Sequence, residues 1–273
     1  MRPRRAPLLI VAIVVAALAG CLPQPDDPIE YLAREDAVLV QMRTGGGWSR
    51  FDLTVPEFTL YGDGTVLYVR QDEDGAAQVL RGQMPGQAVQ DVLEFMEDED
   101  FFQFQYEQPV IDFVNDAETT YLYAQTKTSA NAVSAYALGF ADKGEASSDE
   151  FSEFRRIAGI RERLRKLDPE EVGGEALGPY EAEQVLVDAF EQPASEVTGD
   201  VPAWPVESID LAEIAGAEQQ TRVVRGQAAD EILQLAPPES LVGFYRQRNR
   251  IYGVGYRPIL PFEEHFPEFD FGG

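Results

Sequence analysis

The chain of 273 residues carries one cysteine, Cys21, and one histidine, His265. A lone cysteine excludes an intramolecular disulfide and a cysteine-based metal centre, so the body must hold together by packing. A lone histidine removes His-rich zinc sites and weakens any Ser-His-Asp arrangement. His265 itself sits in a Pro- and Phe-rich stretch and reads as incidental. Positive charge is scarce: 22 Lys and Arg face 48 Asp and Glu, a formal net charge of −26. A surface that acidic repels phosphate backbones, which leaves nucleic acid a poor partner. Its plainest meaning is solubility and self-repulsion. Apolar residues at 44% and aromatics at 11% are nevertheless enough for a folded core. The length suits one large domain or two small ones.

Residues 1–5 contain three arginines, and Leu8 to Leu18 is an almost unbroken apolar run that leads into Ala19 and Gly20. This is the charged and apolar order of a secretory signal. The run is shorter than the roughly 20 residues that span a bilayer. Leu18-Ala19-Gly20-Cys21 resembles the lipobox of bacterial lipoproteins. That resemblance implies cleavage of residues 1–20 as a signal peptide and a diacylglyceryl thioether on Cys21. Membrane lipid then becomes a partner through acylated Cys21, with the body lipid-anchored at the cell membrane and facing the extracytoplasmic side. Each buried methylene contributes about 0.8 kcal/mol, and stable anchoring needs roughly two chains, which a diacylated cysteine supplies. Cleavage also removes Arg2, Arg4 and Arg5, taking the net charge from −26 to −29. The competing reading is an ordinary cleaved signal, or an uncleaved anchor, with an incidental cysteine. Residues 21–36 read as a proline-rich acidic tether, since Leu22 to Glu30 alone holds three prolines and three acids.

Residues 37–168 read as an N-terminal α+β module. Val38 to Met42 is β-branched enough for a first strand, and a loop from Thr44 to Arg50 follows with three glycines and Trp48. The glycines lack the Lys-Ser/Thr pair of a phosphate loop, which leaves Trp48 as a recognition candidate. Pro56 to Val69 places two β-rich runs around Asp63-Gly64, a hairpin signature in which both centre residues tolerate positive φ. Asp63 reads as turn chemistry rather than as a calcium or catalytic carboxylate. Ala77 to Arg81 reads as a third strand after the acidic turn Asp72-Glu73-Asp74-Gly75, which lacks EF-hand spacing. Pro85 then opens a helix with Val89, Val92, Leu93 and Met96 on one face. The helix should fray or stop at Glu97-Asp98-Glu99-Asp100, where negative side chains meet the negative dipole end. Thr119 to Thr126 and Asn131 to Leu138 read as a strand pair, and Asp149 to Leu167 as a longer helix. Six cations on that helix, Arg155, Arg156, Arg161, Arg163, Arg165 and Lys166, suit either nearby acids or an anionic lipid surface.

Residues 169–179 read as a linker and 180–273 as a C-terminal α+β module. Val79-Leu80-Arg81-Gly82-Gln83 recurs as Val223-Val224-Arg225-Gly226-Gln227, each before a short helix and then paired strands, which suggests a degenerate duplication. The second pair is Leu241 to Gln247 and Arg250 to Arg257. Trp204, beside Pro205, reads first as marking a strand end or core edge and is kept as a second recognition candidate. The fold class expected is α+β, two small modules of mainly antiparallel sheet with one or two packed helices each. Pro56 to Tyr68 and Tyr256 to Pro261 also resemble segments of uncharacterised lipoproteins of GC-rich bacteria, in Leu-Tyr-Gly-Asp-Gly and Tyr-Arg-Pro-Ile-Leu-Pro. This implies architecture and address and brings no activity.

No catalytic, cofactor or metal residues stand out. The expected role is a non-catalytic binding or envelope-structural protein, with an envelope protein or wall polymer as partner. The alternatives are an inhibitor or regulator of an exported enzyme, acting through the Thr44 to Arg50 or Asp72 to Gly75 loop, and a carboxylate-dependent hydrolase.

Overall fold

The computed structural model describes residues 28–45, 54–71, 77–103, 105, 117–140, 152–235 and 242–266. Within them the chain is α+β, with two antiparallel sheets and helices packed on each. The first sheet holds β1 (Val38–Gly45), β2 (Phe58–Tyr61), β3 (Thr65–Gln71), β4 (Ala77–Gln83), β5 (Thr119–Gln125), β6 (Ala130–Tyr136) and β7 (Glu175–Pro179), in the order β6-β5-β1-β2-β3-β4-β7. Helix α1 (Gly86–Asp98) carries the chain from β4 to β5, and α2 (Ser152–Lys166) lies between β6 and β7. Both helices lie against the same sheet face. Val40, Met42, Phe58, Leu60, Val66, Tyr68, Leu122 and Ala124 pack there with Val89, Leu93 and Met96 of α1 and Phe154, Ile157, Ile160 and Leu164 of α2. Among the described residues, no helix is long and apolar enough to cross a membrane.

The Asp-Gly hairpin forms, with a difference in its turn. Gly64 alone takes a positive φ, +89°. Asp63 instead uses its carboxylate, accepting from the Thr65 backbone N–H at 2.8 Å and the Thr65 hydroxyl at 3.0 Å. Gly62 is needed for room, because a Cβ there would lie 1.8 Å from the Leu32 carbonyl oxygen. Helix α1 runs through Glu97 and Asp98 and stops at Glu99, within the acidic run expected to end it. Arg156 of α2 lies 3.7 Å from both the Glu99 and the Asp100 carboxylate and offsets their charge at the helix end.

Residues 175–179, read as linker, are the edge strand β7, paired with β4. The preceding glycines shape its entry. Gly173 has φ +79°, and a Cβ on Gly174 would meet the Gln83 carbonyl oxygen at 2.1 Å. The end of the 21–36 tether is likewise part of the body. The Gln90 side chain accepts from the Ile29 N–H at 3.0 Å and donates to the Ile29 carbonyl at 2.8 Å. Ile29 and Tyr31 also pack against the core.

The second sheet holds β8 (Gln184–Gln192), β9 (Thr221–Arg225), β10 (Gly243–Gln247) and β11 (Arg250–Pro258) in the order β10-β11-β8-β9. Two short helices, α3 (Leu211–Ala215) and α4 (Gln227–Leu233), cover one face through Leu211, Ile214, Ala229 and Ile232. The repeated pentapeptides occupy different places. Arg81, Gly82 and Gln83 all lie in β4, whereas β9 ends at Arg225 and Gly226, at φ +63°, is the N-cap of α4.

The segment after β11 returns to the first sheet and ties the modules together. Leu260 is buried with Val38, Tyr61 and Leu67 on the face away from α1 and α2. The Tyr61 hydroxyl donates to the Pro261 carbonyl at 2.7 Å, and the Tyr180 hydroxyl to the Ile259 carbonyl at 3.1 Å. Arg257 grips Glu263 through both guanidinium nitrogens, and Glu263 also accepts from the Leu260 N–H at 3.0 Å.

Candidate functional site

Cys21 and Trp48 lie outside the described residues, as do most of the Thr44 to Arg50 loop and the acidic Asp72 to Gly75 turn. The chain after Cys21 can be placed from Ile29 onward, where Gln90 of α1 holds its backbone. Eight residue steps lead from Cys21 to Ile29. Fully extended, they span about 28 Å at most, so a lipid on Cys21 would keep this end of the first module near the bilayer.

A cleft of about 230 Å³ opens at that end, lined by Ile29, Glu30, Glu97, Asp100, Phe102, Gln103, Thr126, Thr128 and Ser129. Three carboxylates reach it, which makes it the place to look for a glycosidase pair. Glu30 pairs with Lys127 at 3.0 Å, and Asp100 lies 3.7 Å from Arg156. All three acids are exposed. A general acid in such a pair needs the dry surroundings these side chains lack. The cleft is a polar surface feature with exposed carboxylates.

A second, open cleft lies on the other module, lined by Pro205, Glu207, Ser208, Arg225, Gln227, Ala228 and Glu231. The Glu231 carboxylate accepts from the Gln227 side chain at 2.8 Å. Among the described residues, no group of three or more His, Cys, Asp or Glu side chains is placed to hold a metal ion.

Trp204, read as a core-edge residue and also as a recognition candidate, is in the core at 6% exposure. Its ring meets Tyr245 edge-on at 5.0 Å, and Val206, Ile209 and Leu211 belong to the same cluster. Pro202 accepts from the Arg246 N–H at 2.7 Å, and the Trp204 N–H donates to the Arg246 carbonyl at 2.9 Å, so this stretch covers the edge of β10 and turns the indole inward.

The cations of α2 are engaged with the body. Arg165 bonds Glu57 at 2.7 Å, Lys166 pairs with Glu162 at 2.9 Å, and Arg163 sits 4.1 Å from the centre of the Phe95 ring. Arg161, half-buried, donates to the Thr120 hydroxyl at 3.4 Å. The apolar side of the helix packs in the core, and Arg156, Arg165 and Lys166 pair with nearby acids.

One polar group of the first sheet was missed in the sequence. Register places Tyr123, Gln41, Thr59, Leu67 and Arg81 in one row across five strands, on the face away from the helices. Gln41 is 2% and Thr59 0% exposed, and neither the Gln41 amide nitrogen nor the Thr59 hydroxyl has a hydrogen-bond partner. Burial also raises the Tyr123 hydroxyl above the usual tyrosine range. Gln41 and Thr59 are thus buried polar residues in a row that ends in half-buried Tyr123 and exposed Arg81.

No protein-family model, no curated protein and no solved structure matches this chain.

Proposed function

We propose that the protein is a membrane-anchored lipoprotein of the extracytoplasmic side, held by lipid on Cys21, whose body binds an envelope component or serves envelope structure without catalysis. The observation that carries this reading is the Leu18-Ala19-Gly20-Cys21 tetrapeptide behind a charged and apolar leader. The body adds support from its own geometry. The chain is tied down at Ile29, within a few residues of the cysteine, so anchor and fold are joined by a short span.

The cleft carboxylates are exposed and in part ion-paired, which favours binding over hydrolysis. Binding is tested by capture of envelope proteins and wall polymers on a chain beginning at residue 28. A start at Val38 would remove Ile29 and Tyr31 from the core they pack against. Saturable retention of one envelope component is the expected result. Turnover of a polymer on incubation, with no retention, would replace this reading with the hydrolase.

A further inference from the structure

Each sheet ends in two edge strands, and three of these edges are protected against a further strand. Strand β7 is short, carries Gly178 and Pro179, and shifts register against β4. Strand β10 is covered where Arg246 exchanges backbone bonds with Pro202 and Trp204. Strand β9 is five residues long and carries Arg222 and Arg225. Strand β6 is the exception. Its seven residues, Ala130–Tyr136, include no charge, proline or glycine, and they pair with β5 at every position without a bulge.

Bonds at the two ends of this pair fix which way its backbone groups point. The Thr126 N–H donates to the Ser129 carbonyl and the Ala137 N–H to the Glu118 carbonyl, both at 2.8 Å. Bonded and non-bonded positions alternate along an antiparallel pair, so Asn131, Val133 and Ala135 are the residues bonded to β5. Ala130, Ala132, Ser134 and Tyr136 therefore turn their N–H and C=O groups to the outer side. There the Ala132 N–H is met by the side-chain oxygen of its neighbour Asn131 at 2.9 Å. Among the described residues no strand pairs with this side of β6, and Ala130, Ala132 and Ser134 are exposed.

We propose that a second copy of this chain pairs with this edge, β6 antiparallel to β6, about a twofold axis at Val133. That axis sets Ala132 opposite Ser134 and Ala130 opposite Tyr136 across the interface. These are the residues whose backbone groups point outward, so each facing pair can exchange two bonds. Charge favours a copy at this edge over any other: a chain of net charge −26 repels itself where acids meet, and the seven facing positions carry no charge. Small uncharged side chains give a foreign segment no pocket or charge to read. Against a copy they are self-complementary, with an alanine opposite each Tyr136 ring. The inference concerns the first module alone and holds with or without lipid on Cys21.

The test is sedimentation equilibrium of the full chain in detergent over a range of concentrations. The mass should rise from that of one chain towards twice that value. Ser134→Lys puts like charges near the axis and should raise the dissociation constant about tenfold. Adding Ala132→Glu should return it, because the new carboxylate of one copy then faces the new ammonium of the other. Ala132→Pro removes an outward N–H that β5 does not use, and should abolish the dimer. A single-chain mass at every concentration overturns the proposal. So does a dimer that Ser134→Lys and Ala132→Pro leave unchanged, or a lysine effect that Ala132→Glu does not reverse.

Discussion

Gly64 and Thr59 show two opposite ways in which one residue sets the stability of the first sheet. Gly64 holds φ at +89°, and a Cβ there would lie 2.4 Å from the Met84 carbonyl oxygen. Gly64→Ala should therefore destabilise the body by about 2 kcal/mol, from the left-handed backbone and the clash together, measured as a lower urea midpoint. Thr59 carries the reverse expectation. Its hydroxyl is buried without a partner, so the near-isosteric Thr59→Val should raise stability by roughly 1 kcal/mol in the same assay. The turn was legible in the sequence because Asp-Gly chemistry is local. The need for Gly62 was not, since the group it makes room for, the Leu32 carbonyl, lies thirty residues earlier. The cover of Trp204 was hidden for the same reason: it is Tyr245, on a distant hairpin.

The element that joins the modules is the segment after β11, and two of its supports can be tested. Arg257 and Glu263 are only 12% and 22% exposed, so removing one partner leaves a poorly solvated charge. Glu263→Ala should cost about 3 kcal/mol and free the Leu260 N–H, with hydrogen exchange at residues 259–263 rising before that of α1. Tyrosines supply the other support. Burial, with Tyr180, Glu263 and Asp63 nearby and Arg81 opposing, raises the Tyr61 hydroxyl far above the tyrosine range, and burial with Tyr245 beside it pushes Tyr256 up to about 12. The folded state then keeps protons that the unfolded chain releases above pH ~10. Stability should be fully present below that pH and fall as it rises toward 12. Urea melts at pH 8 and 11 check this, and equal midpoints would contradict it.

Elements with a clear period or turn were readable: the hairpin, α1 and α2. Strand β8, central in the second sheet, was not. Val185, Val187 and Ala189 face the helices, while Leu186, buried Asp188 and Phe190 sit on the other side, so no polar alternation marks it. Strand β7 was hidden by the glycines and proline that make it a short edge.

At the scale of the whole molecule, composition and punctuation were enough for the α+β class with its two antiparallel sheet modules. They were not enough for the connection between those modules, which depends on Tyr61 and Pro261 meeting across 200 residues of chain. The candidate site was least legible, because recognition here is a matter of which faces the fold leaves uncovered. The proposed address depends on no such face. It rests on four adjacent residues, and the central claim can be put to one measurement. Cells fed an alkyne fatty acid should label the protein, and Cys21→Ser should lose the label and leave the longer precursor uncut while the body still folds. Label retained in Cys21→Ser, or normal cleavage without Cys21, would contradict the lipoprotein account.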